Sequence, residues 1–232
     1  MFQELEQLRK NKGYAIFALI DPDKKNDPYL KPIIKTINKG DFDAILVGGS
    51  SIEDDKIKDR IQYIKDNTKL PLILFPGSSN QITDNINAML YLTLISGRNI
   101  KYLIEEHVES ALAIKKLNLE TIPTAYILLD GGNQTSVAKV SQTTPLSMDD
   151  YNNVLSHALA GQYLGNKLIY FDCGSGALNM MNTELLKYVS SNIDIPIIVG
   201  GGIKSKADAK YLIDNGASYI VMGTAIEEKT KE

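Results

Sequence analysis

Short apolar runs alternate with amphipathic segments along this chain. The runs cover residues 14–20, 44–47, 70–75, 89–95, 124–129, 168–171, 195–199 and 219–222. Each run is continuous, which is typical of strands that are buried on both faces of a parallel sheet. Between the runs, apolar residues recur at helical spacing, as at Ile57, Ile61 and Ile64. The pattern predicts eight parallel strands connected by helices.

Helices are predicted at the N-terminus and over residues 28–38, 53–67, 102–117, 149–164, 183–189 and 207–215. The third crossover is much shorter, because only residues 81–87 separate the third strand from the fourth. We therefore expect its helix to be missing or reduced. Residues 130–147 form a long polar stretch without an obvious element, and loops of that length are uncommon unless they are functional.

Glycine ends the last two predicted strands. Gly200, Gly201 and Gly202 follow the seventh strand, and Gly223 and Thr224 follow the eighth. Glycine lets the backbone approach a ligand closely, and the N–H groups at a following helix start suit a phosphate. In a (β/α)8 barrel the loops after strands seven and eight form such a phosphate site. Two ordinary strand-to-helix turns are the alternative.

The strand count and these ends predict a single-domain (β/α)8 TIM-type barrel over residues 1–232. A doubly wound sheet is the alternative, but the first turn lacks its GxGxxG fingerprint. The length of 232 residues and the 44% hydrophobic content suit one globular domain with a sizeable core.

Composition excludes several classes of function. A net charge of −3 gives no basic surface for nucleic acid. No apolar run approaches the roughly 20 residues of a membrane span, and the N-terminus lacks the apolar core of a signal peptide. The single cysteine, Cys173, fits a reducing compartment. We expect a cytoplasmic protein.

Three carboxylates stand at predicted strand ends: Asp21, Asp23 and Asp172. Asp21 and Ser50 follow neighbouring strands and are candidate ligands of Mg²⁺, which takes one or two protein oxygens beside substrate phosphate and water. A turn with a helix cap is the alternative. Asp172 is a candidate base, or else a helix N-cap. Tyr170 is a candidate hydroxyl donor to the ligand, or else a core residue.

Other catalytic arrangements find little support. His107 and His157 lie in predicted helices away from the strand ends, and the motifs HExxH, CxxC and GxSxG are absent. Cys173 has no histidine partner among the strand-end residues, which disfavours a cysteine nucleophile. Arg98 and Lys139 lie in loops where they could meet an anion, or they are simply exposed. A metal-assisted site for a phosphorylated substrate remains.

Six motifs carry a family resemblance: LIDPDK (19–24), LVGGSS (46–51), LFPGSSNQI (74–82), YFDCGSGA (170–177), IIVGGGIKS (197–205) and VMGTAIEE (221–228). Together and in this order, they resemble the geranylgeranylglyceryl phosphate synthase family over nearly the whole chain. Two further motifs, LISGRN (94–99) and LLDGGNQTSV (128–137), resemble the second of its two sequence groups.

The resemblance implies a prenyltransferase that joins sn-glycerol 1-phosphate to geranylgeranyl diphosphate, with Mg²⁺ as cofactor and a homo-oligomer (a dimer, or a larger ring built from dimers). It implies Mg²⁺ ligands at Asp21 and Ser50 and catalytic roles for Tyr170 and Asp172. The implied glycerol phosphate site comprises Tyr170, Phe171, Asp172, Cys173, Gly174, Ser175, Gly176, Gly201, Gly202, Gly223 and Thr224.

Two features bear on this implied activity. The family commonly has Glu where this chain has Asp172, so the carboxylate is set back by about one methylene. A twenty-carbon prenyl chain needs an apolar groove, for which a missing third helix leaves room. Tyr91 and Tyr102 border that region and either limit the chain length or are core aromatics. The alternatives are a sugar-phosphate isomerase or lyase on the same barrel, or a non-catalytic binder of phosphorylated ligands.

Overall fold

The predicted strands pair in chain order and close into a barrel. The computed structural model describes residues 1–50 and 54–231, in which the strands are β1 (Ala15–Ile20), β2 (Ala44–Val47), β3 (Leu72–Leu74), β4 (Ala88–Leu94), β5 (Thr121–Leu128), β6 (Leu168–Asp172), β7 (Ile197–Gly200) and β8 (Tyr219–Met222). Every pair is parallel, and β1 also pairs with β8, so the sheet closes on itself. The predicted (β/α)8 barrel is confirmed.

Both faces of these strands are buried, which explains the continuous apolar runs. Inward side chains such as Phe17, Tyr170 and Tyr219 fill the barrel interior. Outward side chains such as Ile127 and Phe171 pack in a second layer, between the strands and the helices. Because successive side chains of a strand point to opposite faces, a residue's parity decides which layer it joins.

The α-helices surround this barrel. They are α1 (Phe2–Lys12), α2 (Leu30–Lys39), α3 (Ile57–Asp66), α4 (Glu106–Leu117), α5 (Ser136–Ser141), α6 (Tyr151–Tyr163), α7 (Thr183–Ser190), α8 (Lys206–Asp214) and α9 (Thr224–Lys231). Helix α1 precedes β1 and buries Leu5 against the barrel interior, at the end of the barrel where the strands begin. The opposite end, where the strands finish, is called the rim below.

The third crossover is reduced, as predicted. Residues 75–87 contain one short 3₁₀ turn, Ser79–Gln81, where the other crossovers carry an α-helix. The predicted helix over residues 53–67 begins at Ile57, and its first residue, Glu53, lies outside the described residues, as does Ser51.

Of the α-helices in the described part of the chain, two were not predicted. The polar stretch 130–147 is structured: it contains α5, and Leu129 pairs with Leu146 in a parallel bridge. Helix α5 is short and its start depends on the Thr135 side chain, which accepts from the backbone N–H of Ala138. The second such element is α9, which follows β8.

Within the described part of the chain, no helix is both long and apolar enough to cross a membrane.

Candidate active site

Asp172 stands at the end of β6 with its carboxylate in the barrel interior. Its side chain accepts a short hydrogen bond from the hydroxyl of Tyr126 and a 2.7 Å bond from the backbone N–H of Gly174. Burial raises the pKa of this carboxyl above its ordinary value, and the two hydrogen bonds oppose that rise. A buried carboxylate with a raised pKa suits a general base.

Tyr170 lies two residues before Asp172 and shares its inward face. It stacks on Phe75, with 5.2 Å between ring centroids, and meets Tyr126 edge to face at 5.3 Å. Its hydroxyl lies against β7, because a Cβ added at Gly200 would stand 2.6 Å from the oxygen. Burial raises the pKa of both Tyr126 and Tyr170 well above the ordinary value, so both hydroxyls stay protonated as donors.

The two residues of opposite parity point away from this site. Phe171 and Cys173 are fully buried in the layer between the strands and the helices. Burial raises the pKa of the Cys173 thiol far above its ordinary value. The structure therefore does not bring these two predicted side chains to the site, although their main chain borders it.

The glycine motifs after β6, β7 and β8 meet at one part of the rim. Gly201 follows β7 and packs backbone against backbone on Gly174, so that an added Cβ would stand 2.6 Å from the Gly174 nitrogen. Its φ of 84° also lies in the left-handed region that favours glycine. Helix α9 begins at Thr224, and the N–H groups of Ile226 and Glu227 donate to the Gly223 carbonyl.

The predicted phosphate residues thus gather after three neighbouring strands, since β6 pairs with β7 and β7 with β8. Gly202 lies beside Gly201, while Ser175 and Gly176 are exposed at the mouth of the site. The side-chain amide of Asn133, from the loop after β5, donates to the Gly176 carbonyl at 2.9 Å. Glycine-rich turns beside a helix start are suited to an anion.

Asp21 and Ser50 lie on the other side of the rim, after β1 and β2. Asp21 Oδ2 accepts from the ammonium group of Lys25 at 3.1 Å, whereas the buried Oδ1 has no hydrogen-bond partner among the described residues. The loop after β2 approaches this oxygen closely: a Cβ added at Gly49 would stand 2.5 Å from Oδ1. Burial raises the pKa of Asp21, against the effect of Lys25.

An unpaired buried carboxylate oxygen fits a cation. Within the described residues, no group of three or more His, Cys, Asp and Glu side chains is placed to hold a metal. The residues present therefore fit Mg²⁺ held by few protein oxygens and completed by substrate phosphate and water, rather than a metal enclosed by protein. Asp23 has a different role, since it caps the turn Lys24–Tyr29 by accepting from the Lys25 N–H.

A deep apolar cleft opens between these two halves. It has a volume of about 830 Å³, including the part continuous with solvent. It extends from Gly49 and Ser50 past Phe75 and Tyr126, and between β4 and α4 to Met89, Tyr91 and Ser110. The reduced third crossover leaves this space open, as predicted. Tyr91 and Tyr102 both line the cleft, and each also packs against the buried core.

The two histidines and Arg98 lie away from the candidate catalytic residues. His107 packs edge to face on the Tyr91 ring, and burial lowers its pKa. Arg98 donates to the carbonyls of Ile95 and Gly97 and approaches His157. Neither arrangement leads to the rim carboxylates.

The most important residue that sequence reasoning missed is Tyr126. It both lines the cleft and holds Asp172. Its register partner on β6 is Tyr170, a pairing that only the barrel reveals.

Comparison with known proteins places the chain in a family. A family model described as the PcrB family matches residues 6–232. A geranylgeranylglyceryl phosphate synthase of Flavobacterium johnsoniae is 43% identical over 225 residues, which are 97% of this chain and 93% of that protein. One from Pyrococcus horikoshii is 40% identical and covers 96% of this chain and 88% of its own length.

Solved structures agree with this placement. The (S)-3-O-geranylgeranylglyceryl phosphate synthase of Thermoplasma acidophilum, solved in complex with its substrate sn-glycerol-1-phosphate, matches with a TM-score of 0.89 and 34% identity, covering 96% of this chain and 91% of that one. An N-acetylmannosamine-6-phosphate 2-epimerase from Clostridium perfringens, at TM-score 0.58 and 16% identity, shares the fold alone. The motif resemblance is confirmed: this chain belongs to the PcrB family, together with the geranylgeranylglyceryl phosphate synthases.

Proposed function

We propose that this protein transfers the geranylgeranyl group of geranylgeranyl diphosphate to a hydroxyl of sn-glycerol 1-phosphate, with release of pyrophosphate. The apolar cleft is the main observation that supports this reaction. It extends from Ser50, on one side of the rim, to Tyr126, which lies beside Asp172. An isomerase or lyase for a small sugar phosphate has no use for an apolar cleft that runs from the rim to the space between β4 and α4. The family placement supports the same reaction.

The glycerol phosphate half of the site lies at the ends of β6, β7 and β8. The turns at Gly174, Ser175 and Gly176, at Gly201 and Gly202, and at Gly223 and Thr224 hold the phosphate through backbone N–H groups. The glycerol hydroxyls then lie over the barrel interior, within reach of Tyr170 and Asp172. The Thermoplasma acidophilum relative was solved with this same ligand, which supports the assignment.

The diphosphate half lies at the ends of β1 and β2. Asp21 and Ser50 would hold Mg²⁺ together with the diphosphate oxygens, and the metal would supply Lewis-acid stabilisation of the leaving group. The prenyl chain lies in the apolar cleft, where Tyr91 and Tyr102 limit its length. This places C1 of the prenyl group beside Tyr126 and Asp172.

The transfer itself is a displacement. The oxygen of the glycerol hydroxyl bonds to C1, and Asp172 accepts the proton of that hydroxyl. The bond between C1 and the diphosphate oxygen breaks, and its electron pair leaves with the pyrophosphate. The hydroxyl of Tyr126 fixes the orientation of the Asp172 carboxylate. For this step the attacking oxygen must be held within about 3–3.5 Å of C1. The Asp side chain reaches less far than the family's Glu, and the hydrogen bond from Tyr126 fixes where its carboxylate stands.

Measured turnover tests the proposal. Purified protein is supplied with sn-glycerol 1-phosphate and a mixture of prenyl diphosphates, with and without Mg²⁺. Pyrophosphate release is followed and the products are identified by mass spectrometry. A geranylgeranyl ether formed only with Mg²⁺ supports the proposal. Conversion of a sugar phosphate, or tight ligand binding without turnover, would favour the alternative enzyme or the non-catalytic binder.

Asp21→Asn tests the metal half. We expect turnover to fall at least about 100-fold, because a metal oxygen donor loses its charge while the barrel core is untouched. Binding of sn-glycerol 1-phosphate, measured by calorimetry, is expected to be unchanged. Asp41→Asn, an exposed carboxylate paired with Lys206, is the control for loss of charge. Full activity in the Asp21 variant would refute the metal assignment.

The proposal extends to the whole chain. Residues 1–232 form one catalytic domain that acts as a cytoplasmic homo-oligomer, and the chain falls in the second sequence group of its family. Gel filtration with light scattering measures the assembly.

A further inference from the structure

One buried arginine joins the loops that carry Asp21 and Ser50. Arg60 lies in α3, and its side chain is 6% exposed. Its guanidinium donates to both carboxylate oxygens of Asp27, at 2.5 and 2.9 Å. It also donates to both oxygens of Asp54, at 2.6 and 2.9 Å. A fifth contact, of 3.3 Å, goes to the carbonyl of Pro22.

These partners belong to two different rim loops. Pro22 directly follows Asp21, and Asp27 lies in the turn Lys24–Tyr29 of the same loop. The side-chain amide of Asn26, also in this turn, donates to the Asp21 carbonyl at 2.9 Å. Asp54 belongs to the other loop, four residues after Ser50. The guanidinium thus connects the segment that follows Asp21 to the segment that follows Ser50.

The chemistry of the contact suits a rigid connection. A planar guanidinium can donate two parallel bonds to each of two carboxylates, which an ammonium group cannot do. The arginine lowers the pKa of both Asp27 and Asp54, so both remain ionised as acceptors.

We propose that Arg60 is a positioning residue for the diphosphate half of the site: it holds the loops after β1 and β2 in register, so that Asp21 and Ser50 face a common point. This inference rests on the proposed function, because it takes these two residues as the ligands of Mg²⁺. Among the described residues, Arg60 is not one of those that line the cleft. Its loss should therefore weaken one half of the site and leave the other intact.

The test compares two ligands on the same full-length variants. Inorganic pyrophosphate with Mg²⁺ probes the diphosphate half, and sn-glycerol 1-phosphate probes the other half, both by isothermal titration calorimetry. Arg60→Lys keeps the charge and removes the bridging geometry. Asp54→Asn weakens only the connection to the loop after β2. Arg9→Lys is the matched control, because Arg9 makes a bidentate pair with Glu6, at 3.0 and 2.7 Å, at the opposite end of the barrel.

We expect Arg60→Lys and Asp54→Asn to bind Mg²⁺-pyrophosphate at least about tenfold more weakly, because the loss of a group that helps to position a metal site costs roughly that much in metal affinity. Binding of sn-glycerol 1-phosphate should change less than about twofold, since that site lies on another part of the rim. In turnover, the KM for prenyl diphosphate should rise while that for glycerol phosphate stays constant. The Arg9 control should bind both ligands as the unaltered protein does.

Either of two results would overturn the inference: variants that bind Mg²⁺-pyrophosphate normally, or variants that lose both ligands equally, as a purely structural role would cause. Should Arg60→Lys fail to fold, Asp54→Asn decides by the same criteria. If the unaltered protein itself does not bind Mg²⁺-pyrophosphate, the metal half of the proposed function fails, and the inference with it.

Discussion

Asp172 illustrates how burial sets the chemistry of a single residue. Its carboxyl is only 6% exposed, and desolvation disfavours the ionised form more than Tyr126 and the Gly174 N–H favour it. The folded-state pKa therefore lies above the unfolded one. The contribution of Asp172 to the free energy of unfolding is therefore most favourable at acid pH. That contribution is lost as the pH rises through the pKa that Asp172 has in the folded state. At neutral pH the raised pKa of this carboxyl therefore lowers the stability of the folded state.

Asp172→Asn should expose this cost. We expect turnover to be lost, because the amide cannot accept the glycerol proton, while the free energy of unfolding at pH 7 rises. The gain should vanish below about pH 4, where the unfolded carboxyl of the original protein is protonated as well. Urea unfolding from pH 3 to 8 measures it. Asp149→Asn, at an exposed position, is the control for the loss of one negative charge. If Asp172→Asn is less stable than the unaltered protein at pH 7, the expectation is contradicted.

Tyr126→Phe should shift the pH dependence of turnover. It removes a hydrogen bond that lowers the pKa of Asp172, so that pKa rises further and the base is protonated at higher pH. The acid limb of kcat against pH should therefore move to higher pH. Tyr219→Phe is the matched control, since it removes a tyrosine–carboxylate bond, to Glu6, far from the rim. If the acid limb does not move in Tyr126→Phe, then the Tyr126 hydroxyl does not influence the pKa of the catalytic base.

Sequence alone predicted which candidate residues lie at the rim. Asp21, Ser50 and Asp172 were predicted there because a polar side chain that follows a buried strand lies at the end of that strand, and their roles as ligands and base stay predictions. Tyr126 was missed because nothing in its own strand marks it, and its role depends on the register that places it beside Tyr170. Phe171 and Cys173 were included with their motif, although strand parity turns their side chains outward.

At the scale of elements, the reduced crossover after β3 is what makes the cleft. A full helix there would cover β4, whereas the turn Ser79–Gln81 leaves its outer face beside α4 accessible. The short linker made this reduction predictable. Helix α5 was not predictable, because a six-residue helix in a polar stretch depends on its Thr135 cap and on its packing against the barrel rather than on a periodic pattern.

A bulky residue in the cleft should change prenyl selectivity. Ser110 lies on α4 and lines the cleft beside Tyr91. In Ser110→Trp we expect kcat/KM for geranylgeranyl diphosphate to fall at least about tenfold relative to that for the shorter geranyl diphosphate, since the indole fills part of the tail space. Leu112→Trp, on the exposed face of the same helix, should leave the ratio unchanged. If the ratio of the two kcat/KM values is the same in both variants, the prenyl tail does not bind in this cleft.

At the scale of the whole molecule, closure joins the first strand to the last. Phe17 of β1 stacks on Tyr219 of β8, with 5.3 Å between ring centroids, in the interior near the end that α1 covers. Leu5 of that helix packs in the same interior cluster. These packing contacts lie at one end of the barrel, whereas the candidate ligand residues occupy the other.

Phe17→Ala tests this separation. We expect it to lower the free energy of unfolding by about 3–5 kcal/mol, as is typical for a buried phenylalanine. The folded fraction should keep its affinity for sn-glycerol 1-phosphate. Urea unfolding and calorimetry measure the two quantities. Tyr163→Ala, at a side chain that is 76% exposed, should change stability by less than about 0.5 kcal/mol. A large loss of affinity in the folded Phe17 variant would show that the two ends are coupled.

The backbone contact between Gly174 and Gly201 has a consequence for how this rim tolerates change. Any side chain at position 201 would overlap the main-chain nitrogen and oxygen of Gly174. A second mutation cannot relieve this overlap, because every residue type has these main-chain atoms. In a saturation library, double substitutions at these positions should therefore be as inactive as single ones. Suppressors should arise elsewhere in the barrel, if at all, through shifts of the loops themselves.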